Sequence, residues 1–170
     1  MVSMEVSNIL CLSRDNTEQW CVYAHHWCGL PVFVTKDDRE SRSALYRDGT
    51  SFIILGSTLI KSRNPKFIYN RLWHEVAHLY FKDVWKPWDI SFEYRADLVA
   101  AAATGRDVSL TRLYQVRSAA ATQDSVQAIE KRIAHLRAAA NSYTRDDALT
   151  MLQSLRPVTI QSSVRGNQYI

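Results

Sequence analysis

Apolar positions recur along this chain with two different periods, and the changes from one to the other mark out its elements. From about Thr17 to Cys28, Tyr23, Ala24 and Trp27 follow Trp20 at three, four and seven residues, which is the repeat of a helix face. Asn16 and Thr17 are candidate N-caps, and Gly29 and Pro31 are stop signals. Three strand candidates follow, Pro31–Thr35, Ser43–Arg47 and Ser51–Ile60, carried by Val32, Phe33 and Val34 and by Phe52, Ile53, Ile54 and Leu55. Arg47-Asp48-Gly49-Thr50 between the last two is a hairpin signal, because Asp-Gly supplies the positive φ of a tight loop. The helical period returns at Asn64-Pro65, a cap with proline at the first helical position, and runs to about Phe81. Lys82–Pro87 interrupts it, and a second helix starts near Asp89 or Ser91 and reaches Gly105. Beyond Gly105 only helical patterns remain, at about 110–121, 125–141 and 145–155. The middle one sets Val126, Ile129, Ile133, Leu136 and Ala140 at alternating steps of three and four, and the last opens on Thr144-Arg145-Asp146-Asp147, an acidic capping box. From Pro157 onward the pattern has no period and reads as a loosely held tail.

This order predicts an α+β fold: an N-terminal helix, a small mixed or antiparallel sheet, two helices joined by a short loop, and a C-terminal all-helical extension. With 170 residues, 46% of them apolar, the chain can bury one substantial core. The net charge of +4 is too small to argue for a nucleic-acid or membrane partner. Its distribution says more, because residues 1–104 hold 12 basic and 12 acidic side chains whereas 105–170 hold 9 and 5. The expected division is therefore a neutral domain over 1–104 and a basic helical extension over 105–170, packed on the same fold or standing beside it. Arg112, Arg117, Lys131, Arg132, Arg137, Arg145, Arg156 and Arg165 read as a solvated face; with only Tyr114 and Tyr143 interleaved, direct nucleic-acid binding is not expected. Three cysteines without a C-x-x-C spacing, no leader pattern and no apolar run of membrane-spanning length predict a cytoplasmic protein.

Within the predicted helix over 65–81 lies His74-Glu75-Val76-Ala77-His78, an H-E-x-x-H motif. Residues four apart stand one above the other on a helix, so both imidazoles can reach one metal ion, while Glu75, about 100° around, can bond a water held there. That geometry suits hydrolysis at Zn2+. A catalytic zinc needs a third protein ligand and leaves its fourth position open. Glu93, fifteen residues after His78, is the candidate third ligand, with Asp97 or Asp89 as rivals one turn away. Asp97, four residues on from Glu93, could instead accept the second ring N–H of a ligating histidine. Ala96 and Ala100–Ala103 are small enough to let the two helices approach closely. Tyr80, Tyr94 and His135 are conceivable oxyanion donors, none of them placed at the metal by helix spacing.

Phe52–Leu55, the arginine before His74-Glu-x-x-His78, and Glu93-x-x-Ala96-Asp97-x-Val99-Ala100-Ala101 together resemble the ImmA/IrrE-type zinc metallopeptidases, over about residues 15–104. Ala77 stands where that family often has Gly, and Asp97 where it often has Asn. The resemblance implies a zincin-like minimal peptidase domain, with His74, His78 and Glu93 as zinc ligands and Glu75 as general base. It implies a protein substrate such as a helix-turn-helix, DNA-binding repressor of a phage, mobile element or stress system. A zinc-containing binding module without turnover and an effector protease acting on a host protein are the alternatives. His25, His26 and His135 read as ordinary helix residues, and Trp20, Trp27 and Trp73 as core. Trp85 and Trp88 flank the loop between the ligand helices as possible lining of a substrate cleft. The stripe from Val126 to Ala140 reads as an internal packing face rather than a dimer seam, and the pattern leaves the oligomeric state open.

Overall fold

The structure, a computed structural model, describes residues 21–35, 41–45 and 50–155. It is an α+β fold dominated by helices. Four strands, β1 (Cys21–Trp27), β2 (Leu30–Thr35), β3 (Arg42–Leu45) and β4 (Ser51–Leu55), form a mixed sheet in the order β1-β2-β4-β3. β2 and β4 run parallel at the centre, and β1 and β3 flank them antiparallel. A short helix α1 (Ser57–Lys61) then leads to α2 (Pro65–Tyr80), and a 3-10 turn (Asp83–Trp85) to α3 (Ile90–Thr104). Three more helices follow: α4 (Arg106–Ala119), α5 (Gln123–Ala138) and α6 (Arg145–Ser154).

Two element assignments are corrected. Cys21–Trp27 is a strand, not the end of a helix. Cys28 and Gly29 both have positive φ, 50° and 91°, the conformation a two-residue hairpin loop requires, so the chain folds back at once onto β2. Ala24 falls between the paired residues Tyr23 and His25. A bulge there interrupts the two-residue alternation, and the spacing of aromatic positions then imitates a helix. The expected start at Thr17, with Trp20, lies outside the described residues, as do Asp48-Gly49 and the tail from Pro157; Trp27 and Trp73 do pack together edge to face at 5.1 Å.

The second correction concerns residues 56–60, which do not continue β4. The β2–β4 ladder ends at Val34 opposite Leu55, so further strand residues would lack a partner. The Gly56 and Ser57 amides bond instead to Ser41 Oγ and Thr35 Oγ1, and Leu59 and Ile60 turn back onto the Gly56 carbonyl.

The helix boundaries follow their caps. Asn64 Oδ1 accepts from the Lys66 amide with Pro65 at the first helical position, Asp89 Oδ1 accepts from the Ser91 amide, and Thr144 and Asp147 form the reciprocal capping box. Gly105, at φ 102°, ends α3 and starts α4 directly, so that α4 begins at Arg106 rather than near 110.

α2 and α3 lie antiparallel: His78 faces Glu93, His74 faces Asp97, and Asn70 bonds Thr104. Small residues at the contact, Ala96 and Ala100, are fully buried. One apolar core joins the sheet (Leu30, Val32, Ile53) to α2 (Leu72, Val76) and α6 (Met151, Leu152). A second packs Ile129, Ile133 and Leu136 of α5 onto Leu98, Ala101 and Leu113. The middle of the α5 stripe is therefore covered within the chain, whereas Val126 is half-buried and Ala140, beyond the end of α5, is exposed; residues beyond Gly105 contribute to the same cores as those before it. Among the described residues no helix is long and apolar enough to cross a membrane.

Candidate metal centre

His74, Glu75 and His78 sit in the second half of α2, and Glu93 in the first turn of α3. The antiparallel packing of the two helices brings His74, His78 and Glu93 together into a group able to hold a metal ion. His74 Nε2 and His78 Nε2 are 3.1 Å apart, Glu93 Oε2 is 3.3 Å from the first and Glu93 Oε1 3.4 Å from the second. The Nδ1 atoms point away from this cluster. His78 Nδ1 bonds Asp83 Oδ2 at 3.1 Å, and His74 Nδ1 lies 3.1 Å from Asp97 Oδ1, an ion-pair contact rather than an aligned hydrogen bond. A carboxylate at Nδ1 keeps the proton there and leaves the Nε2 lone pair free. Two nitrogen and two oxygen lone pairs then converge on one point, which is repulsive unless a cation or a proton lies between them.

Zinc fits this donor set. Tetrahedral coordination with bonds of about 2.0–2.1 Å separates neighbouring ligand atoms by about 3.3–3.4 Å, close to the three spacings observed. Of the rivals for third ligand, Asp97 is occupied at His74 Nδ1, and Asp89 is exposed and caps α3 through the Ser91 amide. His74 is fully buried, while the side chains of His78 and Glu93 remain 12% and 19% exposed, so solvent reaches the cluster from their side.

The surrounding charges are arranged around these ligands. Glu75 is buried and its Oε1 lies 2.7 Å from Arg71 Nη2, one turn earlier on α2. Burial pushes the Glu75 carboxyl up, but Arg71 and the two imidazoles outweigh it and hold the carboxyl below its usual range. Burial, reinforced by Arg71, lowers His74. Burial also pulls His78 down, yet its contacts with Asp83 and Glu93 prevail and raise it to about 9 in the metal-free chain. For Glu93 and Asp97 burial acts upward and is overcome, at Glu93 by the two imidazoles and Arg132, at Asp97 by Arg132 and His74, so both carboxyls stay ionised.

Several groups here escaped sequence reasoning. Asp83 bonds His78 and accepts from Arg95, and its position just past the end of the motif helix was a usable signal. Arg71, four residues before Glu75, was another. Arg132 on α5 and Arg112 on α4 left no such trace. Both were expected on a solvated face. Arg112 is instead buried, its Nε donating to Asn70 Oδ1 at 2.7 Å, and Arg132 reaches Asp97 and Glu93. Of the conceivable oxyanion donors, Tyr94 and His135 stack on one another at 4.3 Å, and Tyr80 packs edge-on against Phe81. Trp85 and Trp88 are exposed at 58% and 69%, which leaves their rings available beside the loop between the ligand helices. The side chains of His25 and His26 lie outside the described residues. Compared with protein-family models, with curated proteins and with solved structures, the chain matches none.

Proposed function

We propose that this chain is a zinc-dependent metallopeptidase of the ImmA/IrrE-like, zincin type that hydrolyses a peptide bond in a protein substrate inside a cell. The observation that carries the reading is the convergence of His74 Nε2, His78 Nε2 and the Glu93 carboxylate, with an acid facing each Nδ1. When bound, zinc supplies a Lewis acid for the scissile carbonyl and brings the deprotonation of water from 15.7 to near pH 7. His74, His78 and Glu93 would hold the ion, and Asp97 and Asp83 fix the ring orientations. Glu75 would take the proton of the attacking water and hand it to the leaving amine nitrogen. Arg71, with Nη2 2.7 Å from Oε1, helps keep Glu75 ionised beforehand. The resemblance in sequence supplies the substrate class, a DNA-binding repressor of a phage, mobile element or stress system.

One observation favours a second reading: Glu75 is buried and paired with Arg71, as it would be in a zinc-holding binding module without turnover. Metal content and cleavage of a helix-turn-helix repressor, measured for the wild type beside Glu75→Gln, separate the two. The peptidase reading expects stoichiometric zinc in both proteins and cleavage by the wild type alone. Zinc in both with no cleavage by either favours the binding module, and a wild type without zinc overturns both.

A further inference from the structure

Among the groups that the proposed reaction does not use, Arg132 touches most of the metal site. It stands on α5, thirty-five residues beyond Asp97, and its side chain is only 12% exposed. Nε and Nη2 clamp Asp97 at 2.8 Å and 2.7 Å, while Nη1 lies 2.9 Å from Glu93 Oε2, the oxygen that faces His74. One planar guanidinium thus holds the acid behind His74 and the carboxylate of the proposed third ligand in fixed relation. An arginine fork can do this because its donors are rigidly spaced, whereas a lysine ammonium is a single point of charge. The placement is itself fixed: Ile129, Ile133 and Leu136, on either side of Arg132 in sequence, are buried against Leu98 and Ala101 of the ligand helix and Leu113 of α4.

We infer that Arg132 is a positioning residue of the metal centre, which makes α5 a working part of that centre rather than a neighbour. The inference rests on the metal-site reading above. Two effects of the side chain oppose each other. Its positive charge repels a dication, while its fork holds Glu93 and Asp97 where the dication needs them. A neutral replacement would alter both effects at once. Arg132→Lys keeps the charge and removes the fork, so it isolates positioning.

The test uses the full chain, with wild type, Arg132→Lys and Arg117→Lys titrated with Zn2+ against a chromophoric chelator and with Co2+ by visible absorption. Arg117 serves as control because its ion pair with Glu130 joins α4 to α5 at the exposed surface. The expected result is zinc affinity at least about tenfold weaker for Arg132→Lys, with an altered cobalt spectrum, and neither change for Arg117→Lys. Wild-type affinity and spectrum in Arg132→Lys would overturn the inference while leaving the metal site standing. So would a lysine variant that fails to fold without metal, because Arg132 would then serve the fold at large. A wild type that binds neither ion removes this inference together with the reading beneath it.

Discussion

His78 is where a proton and a bound metal ion would compete most directly. Its raised pKa, about 9 against 6.5 for an ordinary histidine, belongs to the metal-free chain and reflects the Asp83 and Glu93 carboxylates prevailing over burial. A group whose folded value lies above its unfolded one stabilises the fold fully below about pH 6.5, and that contribution is lost as pH rises through about 9. Thermal denaturation in EDTA should therefore show a midpoint that falls between pH 6.5 and 9.5, and a flat profile across that window would contradict this charge arrangement around His78. Saturating zinc should flatten the same profile, since the ion replaces the proton. The residues of this competition differ in how plainly the sequence displays them. His74 and His78, and likewise Glu93 and Asp97, are one helical turn apart, with Glu75 about 100° around from His74, so their spacing alone puts them on usable faces. Arg132 depends on the angle at which a later helix crosses α3, and no local spacing encodes that angle.

At the level of elements, the contact between α2 and α3 governs the ligand geometry. Ala96 and Ala100 are fully buried there, and Val76 and Val99 fill the adjoining core. Ala100→Leu should cost about 1–3 kcal/mol by overpacking, and by pushing the helices apart it should weaken zinc binding as well. A variant with lowered melting temperature but unchanged zinc affinity would show that Glu93 follows its own loop rather than the helix contact. Most of these elements were legible because each announces itself within a few residues. Asn64-Pro65, Asp89, Gly105 and the Thr144–Asp147 box all bound helices in the structure. The two misreadings have tertiary causes. Cys21–Trp27 pairs with β2 through a turn two residues long, and residues 57–61 coil because the strand beside them has ended.

For the molecule as a whole, the charge asymmetry between 1–104 and 105–170 takes on a specific meaning. Two of the excess arginines, Arg112 and Arg132, are turned inward toward Asn70, Asp97 and Glu93, and the remaining helices complete both apolar cores. Truncation after Gly105 would uncover Leu98 and Ala101 and leave the Asp97 and Glu93 carboxylates without their guanidinium. The expected product is a chain that neither binds zinc stoichiometrically nor unfolds cooperatively. A truncated chain that binds zinc like the full chain would establish the first 104 residues as an independent unit. Charge counting could reveal that the two segments differ, but not that the second is built into the first. The reach of Arg132 also sets an order of events during synthesis. Glu93 leaves the ribosome 39 residues before Arg132 does, an interval of about 2–8 s at typical elongation rates. Throughout that interval the nascent chain would carry His74, His78 and Glu93 without the guanidinium that contacts Glu93 and Asp97, so under the proposed reading a settled metal site would have to wait for most of the polypeptide to emerge.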